Sequence, residues 1–247
     1  MVTAAVVIVA LIGSIVAAVL LSGDDSDQLA AADPQVSPTA SAPPPATSQV
    51  GHCVYTENGE EPARPVTLPE PADTVDTSPA KMIITTDKGT MTAALDAEKA
   101  PCTVHALRTL AEAGYFDDTT CHRQTGGEGA NIFVLQCGDP TGTGMGSPGY
   151  GYANENTEGV NYNRGVIAMA HGSLPDSNGS QFFINYADPT ETGKQILAGN
   201  YTVFGQITEG LDVLDALTEP GIEGGGSDGP PVSKPKIQSI EIIQPAE

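Results

Sequence analysis

Residues 81–243 are built from short β-rich runs separated by glycine, proline and asparagine, and only two stretches have helical spacing. That pattern restricts the possible folds more than any other feature of the chain. KMIITTDKGTMTAAL (81–95) reads as a hairpin, with two β-rich runs on either side of Asp87-Lys88-Gly89 and glycine where a turn wants positive φ. Ala100-Pro101 opens a helix, since proline's missing N–H costs little in a first turn. Val104, Leu107, Leu110 and Ala111 continue it at helical spacing, and Gly114 ends it. Strands are predicted over 119–123, 132–137, 165–170, 181–186, 202–207 and 237–243, and a second helix over 210–217. Many short strands with one early and one late helix predict an antiparallel β-barrel whose helices pack against its open ends.

The N-terminal part is of another kind. Residues 2–21 are apolar apart from Thr3, Gly13 and Ser14, close to the ~20 residues that span a bilayer. No Lys or Arg precedes this run, which is unusual for a signal or anchor, and a true start upstream of Met1 is one explanation. LLSGDD follows, with Asp24 where a lipid-modified cysteine would be needed, so a lipid anchor is not supported. The expectation is an uncleaved anchor helix over 1–21 with the rest of the chain outside the cytoplasm; a secreted chain after signal cleavage is the alternative. Residues 22–50, rich in Asp, Ser, Ala and Pro, read as a disordered linker with a reach of roughly 30 Å as a coil. Residues 51–80 read as an extended strap that Cys53 can pin to the domain at 81–247.

Net charge is -21, and both halves of the chain are acidic, so no basic patch exists to neutralise phosphates and nucleic-acid binding is not expected. His52, His105, His122 and His171 show no ligand spacing, and the glycine-rich loops at 142–151 and 221–229 lack Gly-Lys-Ser/Thr. They read as turns, and no metal or phosphate-bearing cofactor is expected. Cys53, Cys102, Cys121 and Cys137 make an even set without CxxC spacing. Two disulfides in an exported chain, with three possible connectivities, stand against four reduced buried thiols.

The stretch 121–150 carries the chemistry. Arg123, one of four arginines, stands in a strand-like context, followed by an apolar run ending in Gln136. His122-Arg123, FVLQCGD (133–139), Met169-Ala170, NGSQFFI (178–184) and YTVFG (201–205) resemble the cyclophilins, the peptidyl-prolyl cis–trans isomerases, over roughly 81–243. TCHR, VLQCGDPTGTG and the cysteine-bearing strap are most similar to exported or membrane-anchored bacterial members. The resemblance implies a mainly β, eight-stranded antiparallel barrel capped by two helices, with its active site on the outer face. It implies Arg123 as the catalytic residue and Phe133, Val134, Phe183 and Leu197 as walls of a proline pocket. Tyr201 stands where many members have histidine. Gln136 and Gln181 form the polar rim, and the backbone at Ala170 and His171 pairs with the substrate. Substrates would be proline-containing polypeptides and the chain a monomer, with a catalytically weak binding module or chaperone for such segments as the alternative.

The chemistry follows without the family. Rotation about X–Pro faces a barrier of ~18–20 kcal/mol, because the nitrogen lone pair is delocalised into the carbonyl. A catalyst needs an apolar socket for the ring and a donor that draws the lone pair out of conjugation as the bond twists; no nucleophile, base or metal is required. Arginine stays charged and offers five donors. In a low-dielectric rim its bonds count most in the twisted state.

If Arg123, Val134 and Gln136 share a face, strand parity turns Cys137 the opposite way and Cys121 the same way. A Cys121–Cys137 bridge would then need a bulge or a changed register, so pairings through Cys53 or Cys102 are favoured. Parity likewise turns His122 away from Arg123 into a structural role, and separates core Phe182 from pocket Phe183. The loop 125–131 is longer than in common cyclophilins, which would move the pocket entrance. Segment 170–178 is longer too, with His171 for the usual asparagine. Ile196 occupies the rim position where eukaryotic members carry tryptophan, so weak binding of the family's cyclic-peptide inhibitor is expected.

Overall fold

A computed structural model describes residues 52–174 and 176–244. In chain order the elements are β1 (Thr56–Glu57), β2 (Ala80–Thr86), β3 (Gly89–Leu95), α1 (Pro101–Glu112), β4 (Thr119–Thr120), β5 (Arg123–Thr125), β6 (Val134–Cys137) and β7 (Tyr150–Gly151). There follow β8 (Val166–His171), β9 (Asn178–Asn185), α2 (Glu191–Leu197), β10 (Val203–Glu209), α3 (Leu211–Thr218), β11 (Asp228–Gly229) and β12 (Lys236–Ile243). The anchor and linker expected over 1–50 lie outside the described residues. Among the described residues no helix is long and apolar enough to cross a membrane.

The main sheet runs β11-β5-β6-β9-β8-β10-β3-β2-β12-β4, and every pairing is antiparallel. β4 and β5 are two parts of one segment, 119–125, which passes from β12 to β6 at Cys121-His122. The order therefore returns on itself, and counting 119–125 as one strand gives the expected eight-stranded barrel, with β11 an added edge ribbon. Alternation places Ala80, Met82, Ile84 and Thr86 of β2 inward. In β12 the register shift between Ile237 and Ser239 moves the next buried residue to Ile240. The hairpin turn uses Gly89 at φ +139°, where a Cβ would also stand 2.9 Å from Val213 on α3.

Helix α1 buries Val104, Leu107 and Leu110. Its N-cap, Ala100, offers no side-chain acceptor, and a residue far along the chain supplies one. The buried Glu155 carboxylate accepts from the N–H groups of Cys102 and Thr103, at 3.0 and 2.8 Å, and from Thr103 Oγ1. Burial raises the Glu155 pKa despite the opposing Cys102 and Thr103 bonds. A raised folded-state pKa contributes stability that is complete below the unfolded value and is lost as pH rises through the folded one. Unfolding titrations are expected to show this decline in wild type and a flat component in Glu155→Gln. Glu155→Ala, which removes the carboxylate acceptor from these N–H groups, is expected to cost about 1–3 kcal/mol at any pH. A melt unchanged by Glu155→Ala would refute the capping role.

The strap is part of the fold. β1 pairs with β7, Tyr55 is buried with its hydroxyl donating to the Cys102 carbonyl at 2.9 Å, and Cys53 is bonded to Cys102. Arg64 Nη1 donates to the carbonyls of Gly114, Tyr115 and Asp117 just past the C-terminus of α1, where a cation suits the helix dipole.

Three sequence expectations are corrected. A third α-helix, α2, exists where two were expected; it is seven residues long and contains Gly193, so periodicity alone does not reveal it. Cys121 is bonded to Cys137, although strand parity disfavoured that pair. The reason is a bulge: His122 N–H donates to the Gln136 carbonyl at 3.1 Å while Arg123 is also paired with Gln136. The extra residue brings Cys121 opposite Cys137. The same bulge sets His122 and Arg123 opposite one residue, Gln136, so the alternation that separated them does not hold; His122 is among the cleft's lining residues while both its ring nitrogens stay buried.

Candidate active site

The inward residues of β6, Leu135 and Cys137, belong to the barrel core together with Phe182 of β9. Their neighbours in sequence face outward, as alternation requires. Val134, Tyr162, Ala168, Phe183 and Leu197 form a second, separate apolar cluster, with Ile132, Ala170 and Tyr201 packed against it. This patch floors a cleft of about 410 Å³ on the outside of the barrel. Helix α2 supplies Leu197 to it. Thr190 caps that helix by accepting from Gly193 N–H at 3.1 Å, and a Cβ on Gly193 would stand 2.0 Å from the Asn131 carbonyl.

Arg123 forms the polar side of the cleft. Its Nε and Nη2 donate to the two carboxylate oxygens of Asp228 at 2.8 and 2.7 Å, and Nη1 donates to Gln136 Oε1 at 3.1 Å. Gln136 Nε2 passes the chain on to Gln181 Oε1 at 2.9 Å, and Gln181 Nε2 donates to the carbonyls of Gly144 and Gly146. The loop bearing those carbonyls is wound around Asp139, a fully buried carboxylate that accepts from the N–H groups of Thr141, Thr143 and Gly144. Burial pushes the Asp139 carboxyl up, but its hydrogen bonds win and hold it below the ordinary carboxylate range. The Asp228 bond raises the Arg123 pKa, and the same bond lowers that of Asp228. Both stay charged.

Of the residues expected at the site, Arg123, Val134, Gln136, Ala170, His171, Phe183, Leu197 and Tyr201 line this cleft together. Tyr201 packs edge-on against Phe183 with centroids 5.4 Å apart, and its ring lies 5.0 Å from that of His171. Gln181 lies one hydrogen bond away and lines an adjoining groove that shares Gln136, Gly144, Ala170 and His171 with the cleft. Phe133 is outside the cleft, packed edge-on against Tyr186 at 6.1 Å; alternation turns it away from Val134, and Ile132 lines the cleft instead. Ile196 is also outside it, 47% exposed on α2.

The long loop does not crowd the entrance. It folds back through Thr125 Oγ1, which donates to the Ile132 carbonyl and accepts from Val134 N–H, and Asn131 is tied to Thr190 at the start of α2. Asp228 and Gly229, expected only as part of a turn, form a wall of the cleft together with Pro230. His122 has both ring nitrogens buried with no hydrogen-bond partner, and burial lowers its pKa, with Arg123 adding to the effect against Asp139. Its imidazole is neutral near neutral pH. Among the described residues no group of His, Cys, Asp and Glu could hold a metal ion. Chemically, the cleft offers an apolar floor, a fixed cationic donor and a polar rim, with no nucleophile–base pair.

A family profile described as "Cyclophilin type peptidyl-prolyl cis-trans isomerase/CLD" matches residues 81–242. The chain is 38% identical over 211 residues to "Probable peptidyl-prolyl cis-trans isomerase B" of Mycobacterium tuberculosis, covering 79% of this chain and 65% of that protein. The Mycobacterium leprae protein of the same name is 38% identical over 213 residues, covering 80% of this chain and 69% of that protein. Among solved structures, a cyclophilin type peptidyl-prolyl cis-trans isomerase of Cryptosporidium parvum, crystallised in the presence of the dipeptide Ala-Pro, is similar with TM-score 0.57 and 29% identity. That likeness covers 67% of this chain and 99% of the other. With barrel, outer-face cleft and profile in agreement, the chain belongs to the cyclophilin type peptidyl-prolyl cis-trans isomerase family.

Proposed function

We propose that this chain is a peptidyl-prolyl cis–trans isomerase that turns over X–Pro bonds of exported or cell-envelope polypeptides. The observation that carries the reading is the separate apolar patch of Val134, Phe183 and Leu197 beneath Arg123. A prolyl ring seated there leaves its imide nitrogen open to the guanidinium, whose bonds favour the twisted state over the planar one. Ala170 and His171, at the end of β8 beyond its last pair with β10, line the cleft and offer their backbone to the substrate. All four cysteines are paired, which suits an oxidising compartment. Residues 1–21 would tether the domain as a monomer on the outer side of the cell membrane, through the linker at 22–50.

The test is cis-to-trans exchange of an X–Pro peptide, measured by exchange NMR. Acceleration is expected over a spontaneous process that takes tens to hundreds of seconds; exchange no faster with protein would leave a binding module in its place. The cyclic-peptide inhibitor of the family is expected to bind weakly, because Ile196 lacks the indole surface and hydrogen-bond donor of tryptophan. Ile196→Trp is expected to tighten inhibitor binding by about tenfold or more, as buried tryptophans do at interfaces. Titration calorimetry of both proteins decides, and equal affinities would sink the assignment.

A further inference from the structure

Asp228 lies in none of the segments that carry the family likeness in the sequence, yet it holds two of the five guanidinium donors of Arg123. The contact is side-on, through Nε and Nη2, and the opposite nitrogen Nη1 is taken by Gln136. With three donors spent, two N–H bonds remain. The carboxylate fixes the plane of the guanidinium and Gln136 fixes its rotation. The backbone holds Asp228 in register independently of the ion pair: Asp228 pairs with Thr125, Gly229 with Gln124, and Gly126 N–H donates to the Ser227 carbonyl. Asp228 and Arg123 thus sit on adjacent antiparallel strands whose alignment brings the two side chains together. Both side chains are partly open to solvent, at 53% and 40%, so the pair adds little to folding. Its geometric consequence is larger, because a bidentate carboxylate restricts an arginine that would otherwise sample many rotamers.

We propose that Asp228 is a positioning residue for the isomerisation, holding the free N–H edge of Arg123 at the height of the bound prolyl nitrogen. The substrate is not its partner. This rests on the isomerase reading above, and its test separates the two. In the full chain, kcat and KM are measured for wild type, Asp228→Ala, Asp228→Asn and Asp228→Glu, and for Asp228→Ala combined with Arg123→Ala. Asp228→Ala is expected to lower kcat between about tenfold and a hundredfold, the scale of a misplaced catalytic group, with KM within twofold of wild type. Asp228→Asn keeps one acceptor oxygen and is expected to recover part of the loss. In the Arg123→Ala background, Asp228→Ala is expected to have no further effect, as two residues acting through one another must.

Asp228→Ala with wild-type or higher kcat would overturn the proposal, as would an equal loss in the Arg123→Ala background. A second readout needs no turnover. The Arg123 Nε–H resonance is expected to be protected from solvent exchange in wild type and to lose that protection in Asp228→Ala. Absence of activity in wild type would refute the isomerase reading; persistence of the protected resonance in Asp228→Ala would refute the positioning role.

Discussion

Arg123→Ala is expected to lower kcat/KM for an X–Pro peptide by about 10²–10³, the usual consequence of deleting a fixed donor aimed at a transition state. Most of the loss should fall on kcat. The apolar floor of Val134, Phe183 and Leu197 is untouched by the substitution, so ground-state binding of the ring persists and KM moves little. Arg123→Lys is expected to be nearly as poor. An ammonium cannot hold Asp228 side-on and Gln136 together while presenting a donor to the prolyl nitrogen. Steady-state kinetics with thermal melts as a folding control check this. Arg123→Ala turning over within a factor of two of wild type would leave the guanidinium without its role.

The sequence was legible where local chemistry and global fold agree. The hairpin at 81–95, the proline-led α1 and the alternation that sends Phe182 to the core and Phe183 to the cleft all follow from short-range rules, and the structure has them. Legibility failed where one residue changes the phase. His122 is an extra residue in the strand, and the pairing shifts by one: Cys121 reaches Cys137, and His122 shares Gln136 with Arg123. No composition rule announces a bulge. Phe133 is a pocket wall only by family position; alternation from Val134 turns it away, toward Tyr186. Asp228 was hidden for another reason. It is brought to Arg123 across 105 residues by strand pairing, and an Asp-Gly in a glycine-rich loop reads in sequence as a turn. Helix α2 could have been found from Thr190, an N-cap residue directly after a proline.

The strap disulfide gives the larger effect on stability. Cys53–Cys102 closes a loop with sequence separation 49, against 16 for Cys121–Cys137. In the chain-entropy picture these loops correspond to about 4 and about 3 kcal/mol. Cys53→Ser with Cys102→Ser is therefore expected to lower the unfolding free energy by about 4 kcal/mol, and Tm by roughly 10 °C. Catalysis should survive that change, since neither cysteine nor any strap residue lines the cleft. Cys121→Ser with Cys137→Ser is expected to behave oppositely. Its stability loss is smaller, but the bridge spans the bulge that sets the phase of Arg123 against Gln136, so kcat should fall along with Tm. The strap also has non-covalent moorings in buried Tyr55, the β1–β7 pair and Arg64. A loss under about 1 kcal/mol on removing Cys53–Cys102, far below the loop-closure value, with no earlier protease cut in the strap than in the barrel, would refute the clamp. Denaturant unfolding and limited proteolysis of the two double variants distinguish a covalent clamp that stabilises the domain from one that only duplicates its packing.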